Sequence, residues 1–132
     1  MPIQDDPTIP AEAILWRALI ERWVLVSPEK SRPTSDSLLD SNGENSCFVS
    51  GGCTLEERRR LFPEAHRFVQ LPVRVLRENG YGVERRPEEC PSDYPGNSTD
   101  HVVVGPTDEI SLKEYVRRAK RIVKNPDVTL QE

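Results

Sequence analysis

The sequence predicts an α+β fold: a small, largely antiparallel sheet with a C-terminal amphipathic helix packed on one face. Three observations point there. Short apolar runs of strand length, such as 46–50, 81–85 and 101–104, alternate with clusters of turn formers. Twelve prolines in 132 residues interrupt the chain too often for long helices. One late segment keeps its apolar residues on a single helical face: Leu112, Tyr115, Val116, Ala119, Ile122 and Val123.

The elements follow in order. Residues 1–10 carry Pro2, Pro7 and Pro10 and read as an extended lead-in. Residues 11–23 combine helix-forming composition with alternation at Ile14, Trp16, Ala18 and Ile20, which predicts a helical turn running into a strand that continues to Val26. Residues 27–45 are loop-like, from Ser27-Pro28 to the Asn42-Gly43 turn. A strand over 46–50 ends at Gly51-Gly52, and Thr54 with Glu57 forms a capping-box pattern opening a helix through Arg60. A strand over 66–71 leads through Pro72 into a helix over 73–79, stopped by Gly80. Strands over 81–85 and 101–104 flank a long loop of turn formers. Ser111 and Glu114 suggest a second capping box before the last helix, which Asn125-Pro126 ends, leaving 125–132 as a tail.

The length suits one domain spanning residues 1–132, large enough to bury roughly two-thirds of its unfolded surface. No apolar stretch approaches the ~20 residues of a membrane span, so no membrane partner is expected. A net charge of −4 argues against general nucleic-acid binding. The acidic N-terminus lacks the basic and apolar regions of a signal peptide, and three cysteines cannot all pair, so a cytoplasmic protein with reduced thiols is expected. No cofactor motif is legible: the glycines at 51–52 lack the lysine of a phosphate-binding loop. No metal site is expected either, since Cys47, Cys53 and Cys90 include no Cys-x-x-Cys.

Several side chains could carry chemistry. His101 follows a polar loop, Pro95 to Asp100, and heads a buried strand, where it could serve as a general acid or base. Arg17 lies within an apolar run, and Arg32 opens the polar Arg32-Pro33-Thr34-Ser35; arginine suits carboxylate or phosphate recognition. With Asn97 these residues, Arg17, Arg32, Ser35 and His101, form a candidate pocket for an anionic ligand. The last helix carries Lys113, Arg117, Arg118, Lys120, Arg121 and Lys124 against one acid, Glu114, and Arg117, Arg118 and Arg121 are its candidate partner contacts. Each has an ordinary alternative: a structural hydrogen bond for His101, a salt bridge for Arg17, a solvated face for the helix.

The order Leu15-Trp16-Arg17, Arg32-Pro33-Thr34-Ser35, Cys47-Phe48-Val49, then Pro95-Gly96-Asn97 through His101-Val102-Val103-Val104-Gly105, resembles a family of small bacterial proteins with similarly spaced landmarks. That resemblance covers most of the chain, implies a bacterial protein and transfers no activity. A second similarity is to ADP-ribosyltransferase-like toxins, which place an arginine on an early strand and a serine on the next. Arg17 and Ser50 match those positions, with His101 a further catalytic candidate; the acidic motif those proteins carry on a later strand has no recognisable counterpart. The leading functional expectation is an accessory protein acting through a protein partner, possibly in a multi-gene system. The alternatives are an enzyme or binding domain for an anionic or nucleotide ligand, and a nucleic-acid contact through the last helix.

Overall fold

A computed structural model describes residues 2–26 and 31–131. Six strands form one antiparallel sheet: β1 (Ile14–Leu19), β4 (Asn45–Val49), β5 (Arg67–Pro72), β6 (Tyr81–Arg85), β7 (His101–Pro106) and β8 (Thr129–Gln131), in the order β6-β7-β4-β1-β5-β8. Two short strands, β2 (Val24–Leu25) and β3 (Arg32–Pro33), pair separately. Three helices complete the α+β domain: α1 (Leu55–Leu61), α2 (Val73–Glu78) and α3 (Leu112–Lys124).

Both faces of the sheet are covered, which explains why its strands read as apolar runs as often as alternating ones. Side chains alternate along β1: Leu15, Arg17 and Leu19 face the main core, and Trp16 and Ala18 face the other side. The main core joins Val69, Leu71, Val83, Val102 and Val104 of the sheet to Val75 and Leu76 of α2 and to Tyr115, Ala119 and Ile122 of α3. The opposite face is an aromatic cluster. Trp16 stacks on Phe48 at 4.6 Å, Phe48 stacks on Tyr94 at 4.9 Å, and Phe62 and Phe68 meet Trp16 edge-on. Leu55 and Leu61 of α1 and the loop carrying Cys90 and Tyr94 close over it.

Local signals fix several ends. Thr54 Oγ1 accepts from the Glu57 amide while Glu57 accepts from the Thr54 amide, so the first capping box is complete. Ser111 caps α3 in the same way, but Glu114 turns instead to Arg117 and Arg118, so that box is only half formed. Gly80 ends α2 with φ 77°, a conformation that glycine adopts without a Cβ clash.

Four expectations are corrected. In residues 11–26 the strand comes first and the helical turn, Glu21–Trp23, follows it, because pairing of six β1 residues with β5 outweighs helix propensity. Residues 31–45 contain β3 and the helical turn Ser35–Leu38 rather than loop alone, while Ser27 and Pro28 lie outside the described residues. The expected tail supplies β8, which pairs with β5 at the sheet edge. Leu112, expected on the buried stripe of α3, is 74% exposed.

Gly105 sits where two backbones touch: a Cβ added there would lie 1.8 Å from the Gly43 carbonyl oxygen. Because that obstacle is backbone, Gly105→Ala is expected to lower stability by about 1–3 kcal/mol, read from the urea midpoint. A second prediction concerns Arg118, which joins the Gly80 carbonyl, Asp108 and Glu114. Its guanidinium holds the Asp108 and Glu114 carboxyls below their ordinary values of 3.8 and 4.5. Carboxyls depressed in the fold contribute stability above their unfolded pKa and lose it as pH falls through the folded one. Acid titration of stability should therefore be less steep in Arg118→Met than in the wild type, and the two should run parallel near neutral pH.

Candidate functional site

The site begins where the sheet comes apart. β1 and β4 pair at Leu15–Val49 and Trp16–Phe48, and the Ser50 amide donates to the Ile14 carbonyl at 2.9 Å. Even-numbered residues of β1 thus carry this ladder, and the next pair would be Ala18 with Ser46, which the register omits. The Ser46 carbonyl accepts instead from Arg17 Nη1 at 2.6 Å. Arg17 Nε donates to the Ser37 carbonyl at 2.8 Å, Nη2 lies 3.6 Å from Asp40, and the guanidinium sits 5.3 Å from the centre of the Trp23 ring. A buried arginine therefore stands in for a rung of the sheet.

Past that point the strands diverge around a cleft of about 280 Å³. Arg17 and Ser46 line it with Ala18, Ile20, Trp23, Phe48, Phe62, Ala65 and Glu64. Apolar walls with few polar groups suit a flat ring bearing a polar end.

His101, which does not itself line the cleft, reaches Ser46 from β7. Asn97 caps the short turn Ser98–Asp100, its side chain accepting from the Thr99 amide and hydroxyl, and the turn delivers His101 to the head of the strand. Phe48 lies opposite His101 and Ser46 opposite Val103, so Ser46 and His101 are diagonal neighbours on one face. Ser46 Oγ is 2.7 Å from His101 Nε2, and Nδ1 is 2.8 Å from the Arg86 carbonyl. A carbonyl can only accept, so Nδ1 carries a proton. In the neutral ring Nε2 is then bare and accepts the Ser46 hydroxyl hydrogen.

The ring is held from behind. Phe48 meets it edge-on at 5.1 Å, and Arg86, whose carbonyl orients it, is clamped by Glu44, Glu84 and Glu89. His101 is buried and Ser46 is exposed. A hydroxyl, a base within hydrogen-bond reach and a fixed group orienting that base make up the arrangement that proton transfer at a serine requires.

Two of the expected residues, Arg17 and His101, thus meet at Ser46. Ser50 lies beyond the end of β4 and is exposed; the serine beside Arg17 on the neighbouring strand is Ser46. Arg32 is exposed on β3 opposite Leu25, Ser35 starts the turn Ser35–Leu38, and Asn97 is an exposed cap. On α3, Arg117 pairs with Glu114, Arg118 is committed to Asp108 and Glu114, and Arg121 is exposed.

The cysteines divide between the faces, Cys47 in the main core and Cys53 and Cys90 against the aromatic cluster. Burial pushes the Cys47 thiol up to about 12 and raises the other two, which favours the protonated thiol in all three. No group of three or more His, Cys, Asp or Glu among the described residues is placed to hold a metal ion. Ser46, Trp23 and Phe62 were not singled out from the sequence: only the register and the divergence of β1 from β4 make them neighbours. No helix of the described residues is long and apolar enough to cross a membrane. Comparison with protein-family models, curated proteins and solved structures gives no match.

Proposed function

We propose that this chain binds a nucleotide-type ligand in the cleft between β1 and β4 and that the Ser46–His101 pair moves a proton there. One observation carries this reading: where the sheet opens, Ser46 of β4 is engaged from both neighbouring strands, its carbonyl by Arg17 of β1 and its hydroxyl by His101 of β7. The rings of Trp23, Phe48 and Phe62 suit a base or other flat heterocycle. The similarity to ADP-ribosyltransferase-like proteins implies an arginine on an early strand, a serine on the next and an acidic group on a later one. Arg17, Ser46 and His101 fit that scheme with a histidine in place of the acid. His101 accepts a proton where a carboxylate would hold a negative charge, so the substitution favours base chemistry over stabilising a cation.

Isothermal titration with NAD, ADP-ribose and AMP tests the reading. Binding of at least one is expected, weakened about tenfold by Ser46→Ala or His101→Gln if each removes one well-placed hydrogen bond. Failure of all three to bind at millimolar concentration would remove it.

A second reading, an accessory protein of bacterial origin acting through a partner, is favoured by the outer face of α3. Leu112 is 74% exposed and lines a shallow groove with Lys113, Val116, Arg117 and Lys120. An acidic amphipathic partner would complement that face. Leu112→Glu is expected to abolish such a contact without altering nucleotide binding, which titration of the variant would read directly.

A further inference from the structure

We infer that Ser46 is a nucleophile that passes acyl groups through a covalent ester, giving the chain an esterase activity toward small esters bearing an aromatic ring. This rests on the reading that the Ser46–His101 pair moves a proton, and it names what that transfer does. A serine hydroxyl is a weak nucleophile until an adjacent base takes its proton. Ser46 Oγ lies 2.7 Å from His101 Nε2, and the Arg86 carbonyl holds Nδ1 from the far side at 2.8 Å. His101 is buried, so its ring keeps that orientation, while Ser46 is exposed to an incoming substrate.

The backbone around Ser46 adds two features. Arg17 holds the Ser46 carbonyl, which fixes the main chain that carries the nucleophile. An unbroken ladder would aim the Ala18 amide at that carbonyl, and the missing rung leaves this N–H facing the gap. Ala18 and Ser46 both line the cleft. A fixed backbone donor beside the nucleophile is what stabilises an oxyanion as it develops on the attacked carbonyl. Trp23, Phe48 and Phe62 give the cleft of about 280 Å³ an apolar seat for a ring.

The atoms balance. Ser46 Oγ bonds to the ester carbonyl carbon as His101 Nε2 takes the hydroxyl proton. The tetrahedral intermediate then breaks its bond to the alcohol oxygen, and His101 returns the proton to that leaving group. Water attacks the acyl-serine by the same route, releasing the acid and restoring both side chains. Phenylmethanesulfonyl fluoride reports the first half: the Oγ–S bond forms, the S–F bond breaks, fluoride leaves, and His101 passes the proton to solvent.

The full chain is treated with this sulfonyl fluoride and, separately, with p-nitrophenyl acetate. Peptide mass spectrometry is expected to find the label on Ser46, formed about 10²-fold faster than on Ser50, the low end of what a positioned base supplies. Ser50 is exposed past the end of β4 and serves as the internal control. His101→Gln should slow the label at Ser46 by a similar factor, with circular dichroism checking its fold; the comparison with Ser50 needs no variant. p-Nitrophenyl acetate should give a stoichiometric burst, which Ser46→Ala, a change at an exposed position, removes. Ser46 labelled no faster than Ser50, a label rate unchanged in folded His101→Gln, or a burst that survives Ser46→Ala would overturn the inference. Titration with ADP-ribose separates it from the nucleotide reading. If ADP-ribose binds and Ser46 stays unlabelled, the cleft reading stands and the nucleophile falls. If Ser46 is labelled and NAD, ADP-ribose and AMP all fail to bind, the nucleophile stands and the nucleotide reading falls.

Discussion

Arg17→Met is expected to lower stability by about 3–5 kcal/mol, the cost of stripping a partner from a buried polar network. The ion pair with Asp40 is the smaller part, since Asp40 is 40% exposed and 3.6 Å away. The larger part is the two carbonyls, the buried one of Ser37 and the part-buried one of Ser46, that lose their donor. Arg17→Lys should recover little, because one ammonium cannot span two carbonyls and a carboxylate that the guanidinium fork reaches together. Urea unfolding followed by fluorescence of Trp16 and Trp23 would measure both variants. A loss under about 1 kcal/mol for Arg17→Met would mean that water replaces the guanidinium and that the divergence of β1 from β4 does not depend on it.

Trp16→Ala is expected to cost a similar amount, about 3–5 kcal/mol, as an aromatic-to-alanine truncation in a packed core. Trp16 is fully buried, stacks on Phe48, meets Phe62 and Phe68 edge-on, and lies beneath the Arg58 guanidinium. Its removal leaves both a cavity and a buried cation without its ring. Trp16→Phe should cost markedly less, because the indole N–H is buried without an acceptor and its loss forfeits no hydrogen bond. Equal losses in the two variants would contradict the assignment of the energy to ring contacts.

Elements with strong local signals were legible in the sequence. Thr54 with Glu57, Gly80 after α2, and the run from Tyr115 to Val123 each specify their structure within a few residues. Where local and tertiary terms compete, the reading went astray. Residues 11–23 have the composition of a helix, yet pairing on both sides of β1 makes Ile14–Leu19 a strand. Leu112 matches the apolar period of α3, but it lies at the first turn, where it is left in solvent. Of the candidate site, two residues had drawn attention in the sequence. Arg17 stood out as a charge within an apolar run and His101 as the residue between a polar loop and a strand. Ser46 carried no local signal, since its role arises from the cross-strand register that sets it diagonal to His101 and from a missing rung beside Arg17.

The measurement that most directly tests the cleft is a two-dimensional amide NMR map recorded while ADP-ribose is added. Shifts confined to residues 17–20, 23, 46–48 and 62–65 are expected, spanning the walls that β1 and the turn after it, β4 and the segment before β5 supply. Shifts confined to α3, or none at saturating ligand, would contradict a binding cleft at the Arg17–Ser46–His101 junction.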